Sequence, residues 1–192
     1  MKHVIKKTLV FAAIGMLALL AASAGAAEYK AIQLDKSKVT FQYKQMGVAM
    51  DGRFKKFTAE VLFDPAKPAT AKAQVDIDLT SVDAGSSEAD DEVVGKSWFN
   101  TKAFPKATFV AHQIKPAGAN QFDVRGALTI KGKSQEIKFP LKFAAQGNVG
   151  VFTGGFVIRR GDFTIGEGIW AKFDVVANDI QVNFQLTANS GK

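Results

Sequence analysis

Strict alternation of apolar and polar residues from Gln121 to Phe143 constrains the fold more than any other feature of this chain. The apolar positions of this stretch, QFDVRGALTIKGKSQEIKFPLKF, are Phe122, Val124, Leu128, Ile130, Ile137, Phe139, Leu141 and Phe143. A period of two residues is typical of β-strands with one dry face and one solvated face. We therefore predict two antiparallel strands, whose dry face contacts either a filled core or a space kept for a ligand.

Similar alternation recurs along most of the chain. Further strands are predicted from Val39 to Lys44, Phe57 to Phe63, Val75 to Leu79, Ala107 to Lys115, Val151 to Arg159 and Val175 to Thr187. Gly47 to Gly52 is predicted to be a turn or loop. The spacing of these segments fits about eight antiparallel strands.

One segment is predicted to be helical. In SSEADDEVVG, Ser87 can cap a short helix, with Asp90 three residues later in a loose capping box and Gly95 at its end. The stretch that follows, including Ser97-Trp98-Phe99 and Phe104-Pro105, has no strand or helix period and is predicted to be irregular.

The first 26 residues have the composition of a secretory signal peptide. Lysines near the start precede an apolar run from Leu9 to Ala22, and small residues follow up to Ala27. The run is shorter than the ~20 residues of a membrane span, and the small residues suit cleavage after Ala26 or Ala27. We predict residues 1–26 as a signal peptide, residues 27–192 as one domain, and the periplasm as the location.

Composition excludes several classes of function. The formal net charge of +7 falls to +4 once Lys2, Lys6 and Lys7 leave with the signal peptide, and the remaining lysines are spread along the chain, unlike those of a nucleic-acid binder. The absence of cysteine excludes thiol chemistry and disulfides. We predict no nucleic-acid partner, no membrane span, no metal and no cofactor.

A chain that is almost entirely β must protect the edges of its sheet, and closing the sheet into a barrel removes them. A barrel of about eight strands either fills its interior with side chains or holds one small ligand. Sixteen phenylalanines, 15 of them after the predicted signal peptide, suit an apolar interior of either kind. Composition alone leaves both alternatives open.

Residues suited to catalysis are few. The predicted mature chain has a single histidine, His112, which shares its strand face with Val110 and Ile114 and is expected to be a packed or surface residue. Asp76 and Asp78 fall on one face of a predicted strand, where solvated charge is the better interpretation than a metal site.

GEGIWA, residues 166–171, matches a nucleotide-binding pattern by letter but lacks its strand-turn-helix setting, so we predict a turn. Arg159 and Arg160 could hold a polar head group at a barrel rim, although a solvated turn is the favoured interpretation.

Six stretches, in their order and spacing, resemble the YceI-like family of exported bacterial proteins, also called polyisoprenoid-binding or lipocalin-like proteins. They are DKSKVTFQYKQMG (35–47), GRFKKFTAEVLFDP (52–65), QVDIDLTSVDAG (74–85), KSWFNTKAFPKATFVAHQI (96–114), VRGALTIKGKSQEIKFPLKF (124–143) and IRRGDFTIGEG (158–168). The resemblance runs from about Tyr29 to Thr187 and implies an eight-stranded antiparallel barrel, a helix beside it and a long apolar interior. It also implies a binding protein for isoprenoid or other amphiphilic chains, including quinone-like lipids and fatty amides, with no enzyme chemistry.

Two departures from the family pattern concern a polar head group. Gln45, Met46 and Gly47 stand where the family often has His-Leu-Gly, and Glu88 to Glu92 replace an Arg-Asp-x-His pattern. These changes put a histidine contact in doubt and indicate a different head group, or none.

We therefore predict an all-β, lipocalin-like barrel that carries a long apolar molecule. The candidate ligand-binding residues are Phe41, Tyr43, Phe57, Phe63, Trp98, Phe99, Phe104, Phe109, Phe122, Phe139, Phe156, Trp170, Arg159 and Arg160. Alternatives are an enzyme acting on such lipids through a buried His112 or carboxylate, an outer-membrane barrel, and a filled barrel that serves as an interaction module. Oligomeric state stays open, with a homodimer among the alternatives.

Overall fold

The computed structural model describes residues 27–191. The predicted signal peptide, residues 1–26, lies outside the described residues. Within residues 27–191, no helix has the length and apolar character needed to cross a membrane.

The described residues form eleven strands and one α-helix. The strands are β1 Glu28–Ile32, β2 Lys38–Gln45, β3 Val48–Phe54, β4 Phe57–Leu62, β5 Lys72–Asp78, β6 Val82–Asp83, β7 Lys106–Gly118, β8 Gln121–Ile130, β9 Lys133–Gln146, β10 Val149–Arg159 and β11 Asp179–Gly191. Helix α1 spans Ser87–Val94. Short 3-10 turns cover Leu34–Lys36, Pro68–Thr70, Leu79–Ser81, Arg160–Phe163 and Gly168–Trp170.

All strands belong to one antiparallel sheet with the order β4-β5-β7-β8-β9-β10-β11-β2-β3-β6. Strands β3 and β4 stand near opposite ends of this order, yet only Lys55 and Lys56 separate them in the chain. The chain itself therefore joins the two ends, and β3 with β4 acts as one bent strand of an eight-membered barrel. This confirms the predicted all-β, lipocalin-like fold.

Backbone hydrogen bonds stabilise the connection between β3 and β4. Lys55 N–H donates to Ser81 O at 3.0 Å, and Asp78 N–H donates to Lys56 O at 3.1 Å. At the other end of the barrel, β1 pairs with β11 and exchanges two backbone hydrogen bonds, through Tyr29, with Phe63 just after β4. These bonds satisfy backbone groups that an open sheet would leave at its edges.

The predicted hairpin from Gln121 to Phe143 is confirmed as β8 and β9. Every second residue of β8 from Phe122 to Ile130 is buried, as the alternation requires. Lys131 and Gly132 connect the strands with φ of +48° and +73°. Two positive values give the turn the right-handed twist of a two-residue hairpin.

Three sequence-based boundaries are wrong. The predicted loop from Gly47 to Gly52 is mostly strand β3, because positive φ at Met46 and Gly47 completes the turn in two residues. The predicted strand from Val175 begins only at Asp179, since residues 175–178 make no more than an isolated bridge, between Val176 and Gln45, and the carbonyls of Val176 and Ala177 accept from an arginine described below. Helix α1 is capped by Ser86, not Ser87: the Ser86 hydroxyl accepts from Ala89 N–H.

Buried apolar side chains form two clusters along the barrel. The first contains Tyr29, Phe63, Ile114, Phe122, Val124, Phe139, Leu141, Phe143, Phe152, Leu186 and Ala188. The second contains Leu79, Trp98, Ala107, Leu128, Ile130, Ile158, Phe163, Ile165 and Val176. The first fills one end of the barrel, and the second lies towards helix α1, so the space between them is bounded by apolar walls.

Candidate ligand cavity

A cavity of about 580 Å³ occupies the barrel interior. Its wall includes residues from each of the eight strands of the barrel path. Along β11 it extends from Ile180 to Leu186, which is about 20 Å of strand. The volume falls within the range of small-molecule sites, ~300–1,000 Å³. A space of this length and modest volume fits an elongated molecule.

Packed rings close the end of the cavity away from α1. Phe63 is 1% exposed, and its ring centroid lies 5.1 Å from Phe122 and from Phe152 and 5.2 Å from Phe143. Tyr29 packs edge-on against Phe143 at 5.0 Å. Aromatic pairs at such separations add about 0.5–1.5 kcal/mol each beyond area burial. This aromatic floor makes the cavity blind at that end.

Helix α1 and two tryptophans border the opposite end. Glu88, Ala89, Glu92 and Val93 of α1 all face the cavity. Glu92 Oε1 accepts hydrogen bonds from the indole Nε1 of Trp98 at 3.1 Å and of Trp170 at 2.7 Å. One carboxylate thereby fixes both rings, whose centroids are 5.5 Å apart.

Tyr43 supplies a polar atom near the same end. Its hydroxyl donates to Ala84 O at 2.9 Å, just before α1. Burial, and secondly the negative charge of Asp90, raise the pKa of Tyr43. Both effects disfavour the phenolate, so this group is a neutral hydrogen-bond donor.

Arg160 is the most buried polar side chain of the wall, at 1% exposed. Its guanidinium donates to the backbone carbonyls of Ile165, Gly166, Trp170, Lys172, Val176 and Ala177. The charged group also lies over the rings of Trp98, at 5.3 Å, and Phe173, at 4.8 Å. Desolvation lowers the pKa of Arg160, although an arginine stays charged in proteins.

These contacts test the prediction that Arg159 and Arg160 either hold a polar head group or lie in a solvated turn. Arg159 is exposed and does not border the cavity. Arg160 borders the cavity, but its N–H groups are engaged by the segment that they organise. The favoured interpretation of a solvated turn is wrong for Arg160, because six carbonyl groups replace water around it.

The structure brings most predicted ligand-binding residues together. Those on the cavity wall are Phe41, Tyr43, Phe63, Trp98, Phe99, Phe109, Phe139, Phe156, Trp170 and Arg160. Three predicted aromatics lie elsewhere: Phe122 packs behind Phe63, Phe57 packs against the first core cluster, and Phe104 covers the Gly132 turn. Parity could not separate these positions, because barrel closure and the irregular stretch decide which faces are internal.

Several wall residues were missed from the sequence. Phe184 shares the parity of Ile180, Val182 and Leu186, so the alternation of β11 was sufficient to find it. Met50 was missed because Gly47 to Gly52 was predicted to be a turn or loop, and Phe54 was missed because no strand was predicted between Gly52 and Phe57. Glu92 carries no local signal, since its role depends on two tryptophans that only the fold brings to it.

The residues weighed for catalysis lie away from the cavity. His112 is half exposed, and its Nε2 lies 3.0 Å from Glu136 Oε1. Asp76 accepts from the Thr108 hydroxyl at 2.7 Å, and Asp78 caps the turn at Thr80. GEGIWA is a turn, as predicted, with φ of +81° at Gly166 and +65° at Gly168.

Fold and cavity together define a lipocalin-like antiparallel β-barrel with a blind apolar interior. The chain belongs to the YceI-like family: the model of the YceI-like domain matches residues 30–188. A UPF0312 protein of Yersinia pestis is 35% identical over 172 residues, covering 84% of this chain and 88% of the relative.

Solved structures share this fold. BcnA of Burkholderia cenocepacia is 45% identical with a TM-score of 0.80, covering 82% of this chain and 99% of that one. A domain of Saccharophagus degradans, described as polyisoprenoid binding and implicated in plant cell wall breakdown, has a TM-score of 0.63. It is 19% identical and covers 86% of this chain and 99% of its own, so this likeness concerns the fold alone.

Proposed function

We propose that this protein is an exported binding protein that holds one long apolar or amphiphilic molecule inside the barrel. A polyisoprenoid, a quinone-like lipid or a fatty amide has suitable chemistry. The observation that carries the proposal is the blind cavity, whose apolar walls extend about 20 Å along β11. The Saccharophagus degradans domain described as polyisoprenoid binding shares the fold, so the choice of an isoprenoid as one candidate rests on analogy of fold.

Burial of the ligand supplies the free energy of binding. A chain that hides roughly 300 Å² of apolar surface gains roughly 7 kcal/mol at ~25 cal/mol per Å². Ordering of the chain and loss of its free motion subtract from this gain. Affinity then depends on how closely the walls match the ligand in length and width.

A binding role fits the polar groups of the cavity better than an enzymatic one. Tyr43, Glu92 and Arg160 are each hydrogen bonded within the protein. These bonds support the end of the cavity that α1 borders, here called the mouth. His112 is on the outer side of the barrel with Glu136 and cannot reach a molecule in the cavity. A hydrolase or isomerase would need a general acid or base directed at its substrate.

Co-purification tests the proposed ligand. Protein purified without detergent is extracted with organic solvent, and the extract is analysed by mass spectrometry. We expect one dominant apolar or amphiphilic species in roughly equal amount to the protein. Delipidated protein should bind farnesol, with a change in the fluorescence of Trp98 and Trp170, the chain's two tryptophans, both on the cavity wall. A folded protein that yields no such species and binds no farnesol contradicts the proposal.

Export to the periplasm is the second part of the proposal, and it rests on the signal-like sequence of residues 1–26. Cell fractionation by osmotic shock, followed by intact-mass measurement, tests it. We expect the protein in the periplasmic fraction, with an N-terminus at Ala27 or Glu28. An intact N-terminus in the cytoplasmic fraction contradicts this part alone and leaves the cavity's role to the binding experiment.

A further inference from the structure

Among the glycines that lie beneath aromatic rings of the barrel wall, two are the direct cross-strand partners of the phenylalanines that cover them. Phe41 on β2 is the direct cross-strand partner of Gly52 on β3. Phe184 on β11 is the direct partner of Gly154 on β10. Both phenylalanines border the cavity. The two pairs therefore repeat one arrangement at two places on the wall.

The rings occupy the volume that a side chain at each glycine would take. A Cβ added at Gly52 would lie 2.2 Å from Phe41 Cζ, and one added at Gly154 would lie 2.5 Å from Phe184 Cζ. Both separations are far below van der Waals contact, ~3.5–4.0 Å between carbon atoms. Each ring thus lies flat against the wall only because its neighbour has no side chain.

Both glycines face the barrel interior. Gly52 lies on the same face of its strand as Met50 and Phe54, and Gly154 lies on the same face as Phe152 and Phe156. All four of these neighbours border the cavity. A side chain at either glycine therefore approaches the ring from the wall side. The strand backbone blocks retreat behind the ring, so the displaced ring has to move towards the cavity axis.

We propose that Gly52 and Gly154 set the width of the cavity and thereby select ligands by cross-section. The inference rests on the proposed function, that the cavity holds an elongated apolar chain. Isoprenoid chains carry a methyl branch on every repeat and are wider than unbranched alkyl chains. With both rings flat against the wall, the cavity has room for the branched class, which a narrower bore would reject.

The test compares a branched with an unbranched alcohol. Farnesol and dodecanol are titrated by calorimetry into delipidated wild type, Gly52→Ala and Gly154→Ala. Neither glycine has a positive φ, so alanine is acceptable to the backbone and acts through the ring. Gly52 is the cleaner site, because the three closest atoms to its added Cβ all belong to the Phe41 ring, whereas at Gly154 Pro140 O lies 3.1 Å away.

We expect each substitution to weaken farnesol binding about tenfold or more and dodecanol binding less than about threefold. The matched control is Gly52→Ala combined with Phe41→Leu, which removes the displaced ring and should restore farnesol binding. Thermal unfolding identifies any variant that fails to fold, in which case the other glycine decides the result.

The outcomes separate the two proposals. If wild type binds both alcohols and the folded alanine variants keep the same ratio of affinities, the glycines do not set the width of the cavity and this inference is wrong. If wild type binds neither alcohol, this inference is wrong, and the proposed function fails with it only when no apolar species co-purifies with the protein. A crystal structure of Gly52→Ala with the Phe41 ring still against the wall also contradicts the inference.

Discussion

Glu92 Oε1 lies 2.7 Å from the indole Nε1 of Trp170, a contact that joins helix α1 to the segment after β10. The same oxygen accepts from Trp98. Helix α1 has no buried residue of its own, so contacts of this kind hold it over the mouth of the cavity. These hydrogen bonds act together with Val93, which packs against the second core cluster, to hold the helix in place.

Glu92→Ala should loosen this assembly. It removes the acceptor for two indole N–H groups. The loss should be only about 1 kcal/mol of unfolding free energy, because the carboxylate is exposed and water can replace it as an acceptor. Two indole resonances are expected in an NMR spectrum, and their N–H exchange should accelerate. Asp91→Ala, an exposed neighbour on α1, is the control and should leave both exchange rates unchanged. Equal exchange in wild type and Glu92→Ala contradicts the role assigned to Glu92.

Arg160→Met should destabilise the fold strongly, whereas Arg159→Met should not. Loss of the guanidinium leaves carbonyl groups from residues 165–177 without their donor in a buried setting. We expect a loss of about 3–5 kcal/mol for Arg160→Met and less than about 0.5 kcal/mol for exposed Arg159→Met, measured by urea unfolding. Arg160→Lys should rescue little, since an ammonium has three donors and no fork geometry. Similar losses for the Arg159 and Arg160 variants would count against this account.

The ion pair of Lys131 with Glu167 should make stability depend on pH. Lys131 Nζ is buried and lies 2.6 Å from Glu167 Oε2, and its hydrogen bond and charge lower the pKa of Glu167. A lowered folded-state pKa contributes stability that is complete above the unfolded pKa, ~4.3, and is lost as the pH falls through the folded value.

Thermal unfolding from pH 7 down to pH 3 checks this dependence, with Glu167→Gln as the comparison. The advantage of wild type over Glu167→Gln should be constant near neutral pH and shrink as the solution becomes acidic. An advantage that grows as the pH falls has the wrong sign for a carboxylate with a lowered pKa.

Phe63→Ala should open the floor of the cavity. The ring is fully surrounded by other aromatic rings, so its removal should cost about 3–5 kcal/mol of unfolding free energy. The space gained at the blind end should also shift the preference of the barrel towards longer alcohols, measured by calorimetry with a series of chain lengths. Ile169→Ala, at a residue 88% exposed, is the control and should change neither quantity. A destabilised variant with an unchanged length preference would show that the floor does not limit the ligand.

Strand pattern was readable from the sequence because half-buried strands impose a local period. β8 follows its alternation residue by residue, from buried Phe122 to buried Ile130. β3 was missed because Ala49, Asp51 and Gly52 are poor strand formers, and only the fold reveals that Gly52 accommodates the Phe41 ring. Local propensity gave way there to tertiary packing.

The polar parts of the site depend on contacts between distant residues and could not be predicted. Arg160 looked like a residue of a solvated turn, but the chain from Ile165 to Ala177 folds around it. Glu92 carries no local signal of its role, because it binds a tryptophan 78 positions away in the sequence. Aromatic composition indicated an apolar interior, but the division into a packed floor and an open upper part depends on how distant strands meet when the barrel closes.

Occupation of the barrel interior by an apolar chain is tested most directly by filling it from the wall. Val182 borders the cavity, whereas Val157 on the adjacent strand is 53% exposed on the outer face. Farnesol is titrated by calorimetry into Val182→Trp and Val157→Trp, with thermal unfolding as the check on folding. The account predicts that binding is lost in folded Val182→Trp and is retained in Val157→Trp. Undiminished binding by Val182→Trp would place the ligand outside the barrel and contradict the account.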